Sequence, residues 1–103
     1  MKYAIIIEEP AEQELDEAFL WSCATRSLPQ AEKWFTGLMD AIASLSQFPK
    51  RKSLAPENDA FDEEIRHHLY GRGRGQYRIL FTIRDKAVHI LHIRRSTMQL
   101  LEP

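Results

Sequence analysis

The chain has almost no cysteine: Cys23 is the only one in 103 residues. A lone thiol cannot close an internal disulfide, so a reducing compartment, the cytoplasm, is expected. Long hydrophobic runs are missing too. No stretch approaches the roughly 18 apolar residues that a membrane-spanning helix needs, so no membrane is expected among its partners. The opening MKYAIIIEEP is too short and too acidic to read as a secretion signal. Metal-ligand spacing is absent as well. His67 and His68 are adjacent and point to opposite faces of a strand, and His89 and His92, three apart, do the same. No Cys/His pattern fits a zinc site. There is no Walker A motif. The run GRGRG at 71–75 is followed by strand-like residues rather than the helix a phosphate loop requires. Neither a metal nor a cofactor is expected, and no Ser/His/Asp arrangement stands out.

What is present fits one domain spanning 1–103. Hydrophobic residues make up 44% and charged residues 28%, ordinary for a globular protein. The net charge of −1 hides a division. Residues 1–64 hold six Lys/Arg and thirteen Asp/Glu, a balance of −7, while residues 65–103 hold eight and two, a balance of +6. Separation of this kind points to a basic surface for a polyanion in the second half, or to an acidic helix surface balanced by a solubilising basic one.

Residues 2–8, KYAIIIE, are short, β-branched and apolar, and predict a buried strand. Pro10 suits the first turn of a helix, where its missing N–H costs nothing. Glu12, Glu14, Asp16 and Glu17 follow near the positive end of the helix dipole. Ala11, Leu15, Ala18, Phe19 and Ser22 form one narrow face, and the helix is expected from Pro10 to Thr25. Ser27 and Gln30 have capping-box spacing around Pro29. Ala31, Trp34, Phe35, Leu38, Met39, Ile42 and Leu45 then recur at helical steps, predicting a second helix that ends before Pro49. The short connection makes the two an antiparallel hairpin. Residues 49–62 read as a long loop that opens with the basic cluster Lys50, Arg51 and Lys52.

Three strands are expected at 63–70, 76–84 and 87–94, joined by the glycine-rich turn and by Asp85-Lys86. The order is β-α-α-β-β-β. The fold class is therefore α+β: an antiparallel sheet meander with an N-terminal helical hairpin packed on one face. The other face is expected to stay partly open. Alternation puts Arg66 and His68 on one side of their strand and Arg78 on one side of the next. Taking the apolar set of each strand as the helix-facing one places Arg66, His68 and Arg78 together on the open face. That face is either a solubilising surface or an RNA- or phosphate-facing patch.

Read in order, these segments resemble the RelE/ParE family of toxins from type II toxin–antitoxin systems. The resemblance rests on the N-terminal strand, on Pro10, Ala11 and Leu15, and on the L-x-x-F-P ending of the second helix at Leu45–Pro49. It continues through IRHHLYG, Tyr77-Arg78-Ile79-Leu80-Phe81 and the final ILHIRR run from Ile90 to Arg95. It implies a cytoplasmic toxin neutralised by a cognate antitoxin. ParE-like members inhibit DNA gyrase, whereas RelE-like members cut ribosome-bound mRNA. The resemblance points to the ParE-like reading, with RelE-like endoribonuclease activity and a member that only binds its antitoxin as the alternatives. For a nuclease it implies Arg78, Arg66 and His68 as charge and proton carriers, with Arg94 or Arg95 after the last strand. RelE-like nucleases often end in a tyrosine or a histidine–tyrosine pair. Here Ser96-Thr97-Met98-Gln99 stands instead, so His68 or His92 would have to move the proton. Leu20, Trp21 and Phe48 do not all fit the core stripes and are the expected antitoxin contacts.

Overall fold

The structure, a computed structural model, describes residues 2–100. Met1 and residues 101–103, part of the expected 1–103 domain, lie outside the described residues. β1 spans Ala4–Ile7, α1 Glu9–Thr25, α2 Leu28–Ala43, β2 Arg66–Tyr70, β3 Tyr77–Arg84 and β4 Ala87–Arg95. The expected element order holds, and short 3-10 turns punctuate the 44–62 segment.

Pro10 sits in the first turn of α1, with Glu9 and Glu12 beside it. Ala11, Leu15, Ala18 and Ser22 are the buried line of that helix. The capping box of α2 is complete. The Ser27 hydroxyl accepts from the Gln30 N–H, and the Gln30 side chain accepts from the Ser27 N–H. α2 buries Ala31, Leu38 and Ile42 and runs on through a 3-10 turn that buries Leu45. Gly37 lies in α2 for a steric reason. A Cβ there would come within 2.1 Å of the Tyr70 hydroxyl, which donates to the Trp34 carbonyl at 2.6 Å.

The sheet order is β1-β4-β3-β2. β2, β3 and β4 form the expected antiparallel meander. β1 completes it by pairing parallel with β4, Ala4 opposite Ala87 through Ile7 opposite Ile90. The connection between them, residues 8–86, runs through the helical hairpin, the loop, β2 and β3, and so has the length that parallel pairing demands. Between sheet and helices lies the main core, with Leu15, Leu38, Ile42, Leu45, Ile79, Phe81, Val88 and Ile90 at its centre.

The second sheet face is not open, contrary to expectation. The 49–62 loop folds back over it, and Ala55, Ile65 and Leu80 form a second, smaller core with Phe61 and Leu91 against it. Ala55 N–H donates to Ile65 O at 2.7 Å and His67 N–H to Ser53 O at 3.2 Å, so the loop is stitched to the outer edge of β2. All of β3 from Tyr77 to Thr82 is buried. A strand covered on both sides carries apolar residues on both, as Ile79 and Leu80 do here.

Candidate functional site

The register of β2 on β3 corrects the expected basic face. Arg66 pairs with Phe81, His68 with Ile79, and Leu69 with Arg78. Directly paired residues project to the same side. Arg66 and His68 therefore share the side of Ile79 and Phe81, and Arg78 emerges on the opposite side with Leu69 and Arg94. The three do not converge.

Arg78 is also not an open-face arginine: it is only 7% exposed. Its guanidinium forks onto Glu57, Nη1 donating to Oε1 at 2.9 Å and Nη2 to Oε2. Glu57, on the covering loop, is 2% exposed. His67 Nδ1 stands 3.4 Å from Arg78 Nη1. Burial and the Arg78 charge together hold the His67 imidazole below its ordinary pKa, with Glu57 pulling the other way.

Arg66 performs a different task. Its Nη1 donates to the carbonyls of Lys50 at 3.2 Å and Lys52 at 2.6 Å, and its Nη2 to Glu64 at 3.1 Å. It ties the basic end of the loop to the sheet edge. Beside it a cavity of about 320 Å³ is lined by Arg51, Lys52, Ser53, His67, His68 and Leu69. Burial, then Lys52, then Arg51 push the His68 pKa down to about 4. At neutral pH His68 is an uncharged imidazole between two cations. That suits accepting a hydrogen bond and is poorly matched to donating a proton.

The remaining expected residues fall elsewhere. His92 Nδ1 lies 3.1 Å from Glu14 Oε1, which also accepts from the Ile93 N–H. A bulge in β4 opposite Leu80 and Phe81, which face His92 and Ile90, breaks the strict alternation assumed for its histidines. Arg94 donates to Gln99 O at 3.2 Å. Arg95 lies over the Trp21 ring at 5.0 Å, and Arg26 lies 5.1 Å and 5.2 Å from the Trp21 and Trp34 rings. Trp21, Trp34, Tyr70 and Tyr77 pack edge-on or tilted, with centroids 5.4–5.8 Å apart. Burial raises the Tyr77 and Tyr70 pKa values above the ordinary phenol range. Trp21 is thus built into an aromatic cluster, half-buried, rather than standing free.

Leu20 and Phe48 do stand free, at 67% and 71% exposed, but in different places. Leu20 lines an apolar groove of about 410 Å³ on the helical hairpin with Asp16, Phe19 and Phe35, where the two phenylalanine rings meet edge-on at 5.3 Å. Phe48 borders a cavity with Tyr3, Pro49, Lys50 and Arg51. The expected antitoxin contacts Leu20, Trp21 and Phe48 line three different cavities.

Sequence reasoning missed Glu57, Arg26 and Gly37. Only the acidic surplus of residues 1–64 hinted that a basic strand would find its counter-charge there. Among the described residues no cluster of three or more His, Cys, Asp or Glu is placed to hold a metal ion, and no helix is long and apolar enough to cross a membrane.

A helical hairpin on a four-stranded sheet, its first strand parallel to its last, is also the architecture of a solved chain described as "Chromosomal ParDE TA system from P. aeruginosa". The two superpose with a TM-score of 0.74 over 91% of this chain and 96% of that one. Their 17% identity makes this a likeness of fold. The class is thus a small α+β protein with the fold of a toxin–antitoxin system component. Comparison with curated proteins yields no match. The family model for the ParE toxin of type II toxin–antitoxin systems, parDE, matches residues 5–100, and the chain belongs to that family.

Proposed function

We propose that the chain is a growth-inhibiting toxin that acts in the cytoplasm by binding DNA gyrase, and that a cognate antitoxin neutralises it. The toxin role follows from family membership. A binding mode of action is supported above all by the state of Arg78. Its positive charge is matched by Glu57 beneath a covering loop, on the side of the sheet away from Arg66 and His68. Cleavage of RNA through its 2′-hydroxyl needs an uncommitted cation and a proton carrier converging on one phosphate. The separation of these groups therefore weighs against the RelE-like reading.

The groove of Phe19, Leu20 and Phe35 is the proposed seat of the antitoxin. An apolar side chain covering Leu20 would contribute on the order of 1.5–3 kcal/mol. The test is induced expression with and without the neighbouring open reading frame, followed by assays on purified protein. Arrested growth that the neighbour relieves, with inhibited gyrase supercoiling and intact messenger on ribosomes, is the expected result. Normal growth at high soluble expression sinks the toxin role. Translation-dependent cutting of a messenger sinks the binding mode of action.

A further inference from the structure

Phe48 combines three features that rarely coincide. Its backbone is left-handed, φ 49° and ψ 52°, a region that suits glycine and is sterically poor for an aromatic residue. It precedes Pro49, whose ring further restricts the residue before it. And its own side chain gains little burial in return, at 71% exposed. The strain is locked in from both sides. Pro49 is buried, and the Arg51 guanidinium donates through Nη1 to the carbonyls of Gln47 and, at 3.0 Å, Phe48. A strained backbone that presents an aromatic ring to solvent marks a functional position, because folding alone favours glycine there.

The ring forms one wall of a cavity of about 430 Å³ whose other walls are Tyr3, Pro49, Lys50 and Arg51. The lining is mostly apolar, with two cations at its rim and a third, Lys52, next in the chain. Lys50 also borders a neighbouring cavity that holds Glu63, Glu64 and Asp85. On the other side, Arg51 and Lys52 border the cavity of His68, whose pKa is depressed first by burial and then by these two charges.

We propose that the Phe48 corner is a protein-docking site, separate from the groove on the helices, that takes an acidic peptide segment carrying an apolar anchor residue. The anchor enters the cavity between Tyr3, Phe48 and Pro49, and the flanking carboxylates meet Lys50 and Arg51. Charge complementarity selects the partner class, and a backbone already fixed at Phe48 lowers the ordering cost of presenting the ring. The reading stands whichever target the toxin has, since it concerns binding by this corner alone.

The test is a nuclear magnetic resonance titration of the full, nitrogen-15-labelled chain. The probe is a synthetic peptide, acetyl-Glu-Asp-Leu-Phe-Glu-Asp-amide. Controls are the same peptide with Ser-Ser at its centre and a short oligothymidylate. Shifts are expected at the amides of Tyr3, Phe48, Lys50 and Arg51. The Ser-Ser peptide and Lys50→Glu should each weaken binding, and Phe48→Gly should weaken it by about tenfold or more, the effect of uncovering one large apolar contact. Phe48→Gly should also melt no lower than the parent, because glycine relieves the positive φ. Leu28→Ser, at another exposed leucine, should leave binding unchanged. Equal binding by Phe48→Gly, or shifts centred on the helical groove, overturns the site. A lower melting temperature for Phe48→Gly overturns the argument from strain. Tighter binding of oligothymidylate to the same residues overturns the choice of an acidic peptide.

Discussion

Arg78 and Glu57 meet as a two-point ion pair across the seam between the covering loop and the sheet, both out of solvent. The pair fastens Pro56–Ala60 onto β3 where Leu80 and Ala55 build the second core. Removing Arg78 takes the two-point counter-charge away from a carboxylate held in a dry seam. Arg78→Met should therefore cost about 3–5 kcal/mol, whereas Arg78→Met with Glu57→Leu should recover most of the loss. Urea denaturation of the two variants measures this. A double variant no more stable than the single one would show that the seam needs the ion pair itself.

His68 makes stability depend on pH in a definite direction. Its pKa is about 4 in the folded chain and close to 6.5 when unfolded. Between those values the unfolded chain binds a proton that the folded chain refuses. Stability from this group is complete above about pH 6.5 and declines as the pH falls toward 4. In His68→Gln that decline should be shallower. Lys52→Gln should move the His68 titration upward, because one of the charges opposing its protonation is gone. Carbon-detected titration of the imidazole reads both effects, and an unmoved midpoint in Lys52→Gln would contradict the electrostatic cause.

Gly37 should resist even the smallest enlargement. Gly37→Ala normally favours a helix, but here the new methyl meets the Tyr70 hydroxyl at 2.1 Å. Overpacking of this kind costs about 1–3 kcal/mol. Tyr70→Phe removes the oxygen, leaving ring carbon at 3.1 Å as the nearest atom. The double variant should thus lose less than the sum of the two single ones, a coupling that thermal or urea melts can quantify.

Leu20 is the counter-case. It is exposed on the hairpin, so Leu20→Asp should change stability by no more than about 0.5 kcal/mol. If the hairpin groove seats the antitoxin, the same substitution should still abolish rescue in co-expression. A variant that remains toxic yet is rescued normally would place the antitoxin elsewhere.

The helical hairpin was legible because its cues are local: Pro10, the Ser27–Gln30 box and the three-and-four spacing from Ala31 to Leu45 all act within a few residues. The three later strands were legible for the same reason. Their facing was not. β3 is covered on both sides, so Ile79 and Leu80 are equally apolar and nothing in the strand says which side meets the helices. The Tyr70–Tyr77 pairing across the glycine turn settles it, and a shift of one residue in that pairing reverses every assignment in β2. The basic residues stand out in the sequence, but their counter-charges were out of reach. Glu57 is brought to Arg78 by a loop whose path no periodicity records. The exposure of Phe48 was legible from its misfit to the core stripe, whereas its backbone strain was visible only in the fold.

The parallel pairing of β1 with β4 sets the order in which the molecule can be finished as it is made. Among the described strands β1 leaves the ribosome first, yet the strand it pairs with, β4, comes after all the others. β4 is also an interior strand of the sheet, flanked by β1 and β3. A nascent chain that has emerged through the hairpin, the loop and even β3 still lacks the strand that joins its two edges, and Ile5 and Ile7 have no sheet to lie in. Closure waits for residues 87–90, a contact between distant parts of the chain that is intrinsically slow to form. The toxin fold is therefore completed only once residues 87–90 have been made, which leaves the growing polypeptide without its finished surface while the hairpin, the loop, β2 and β3 are synthesised.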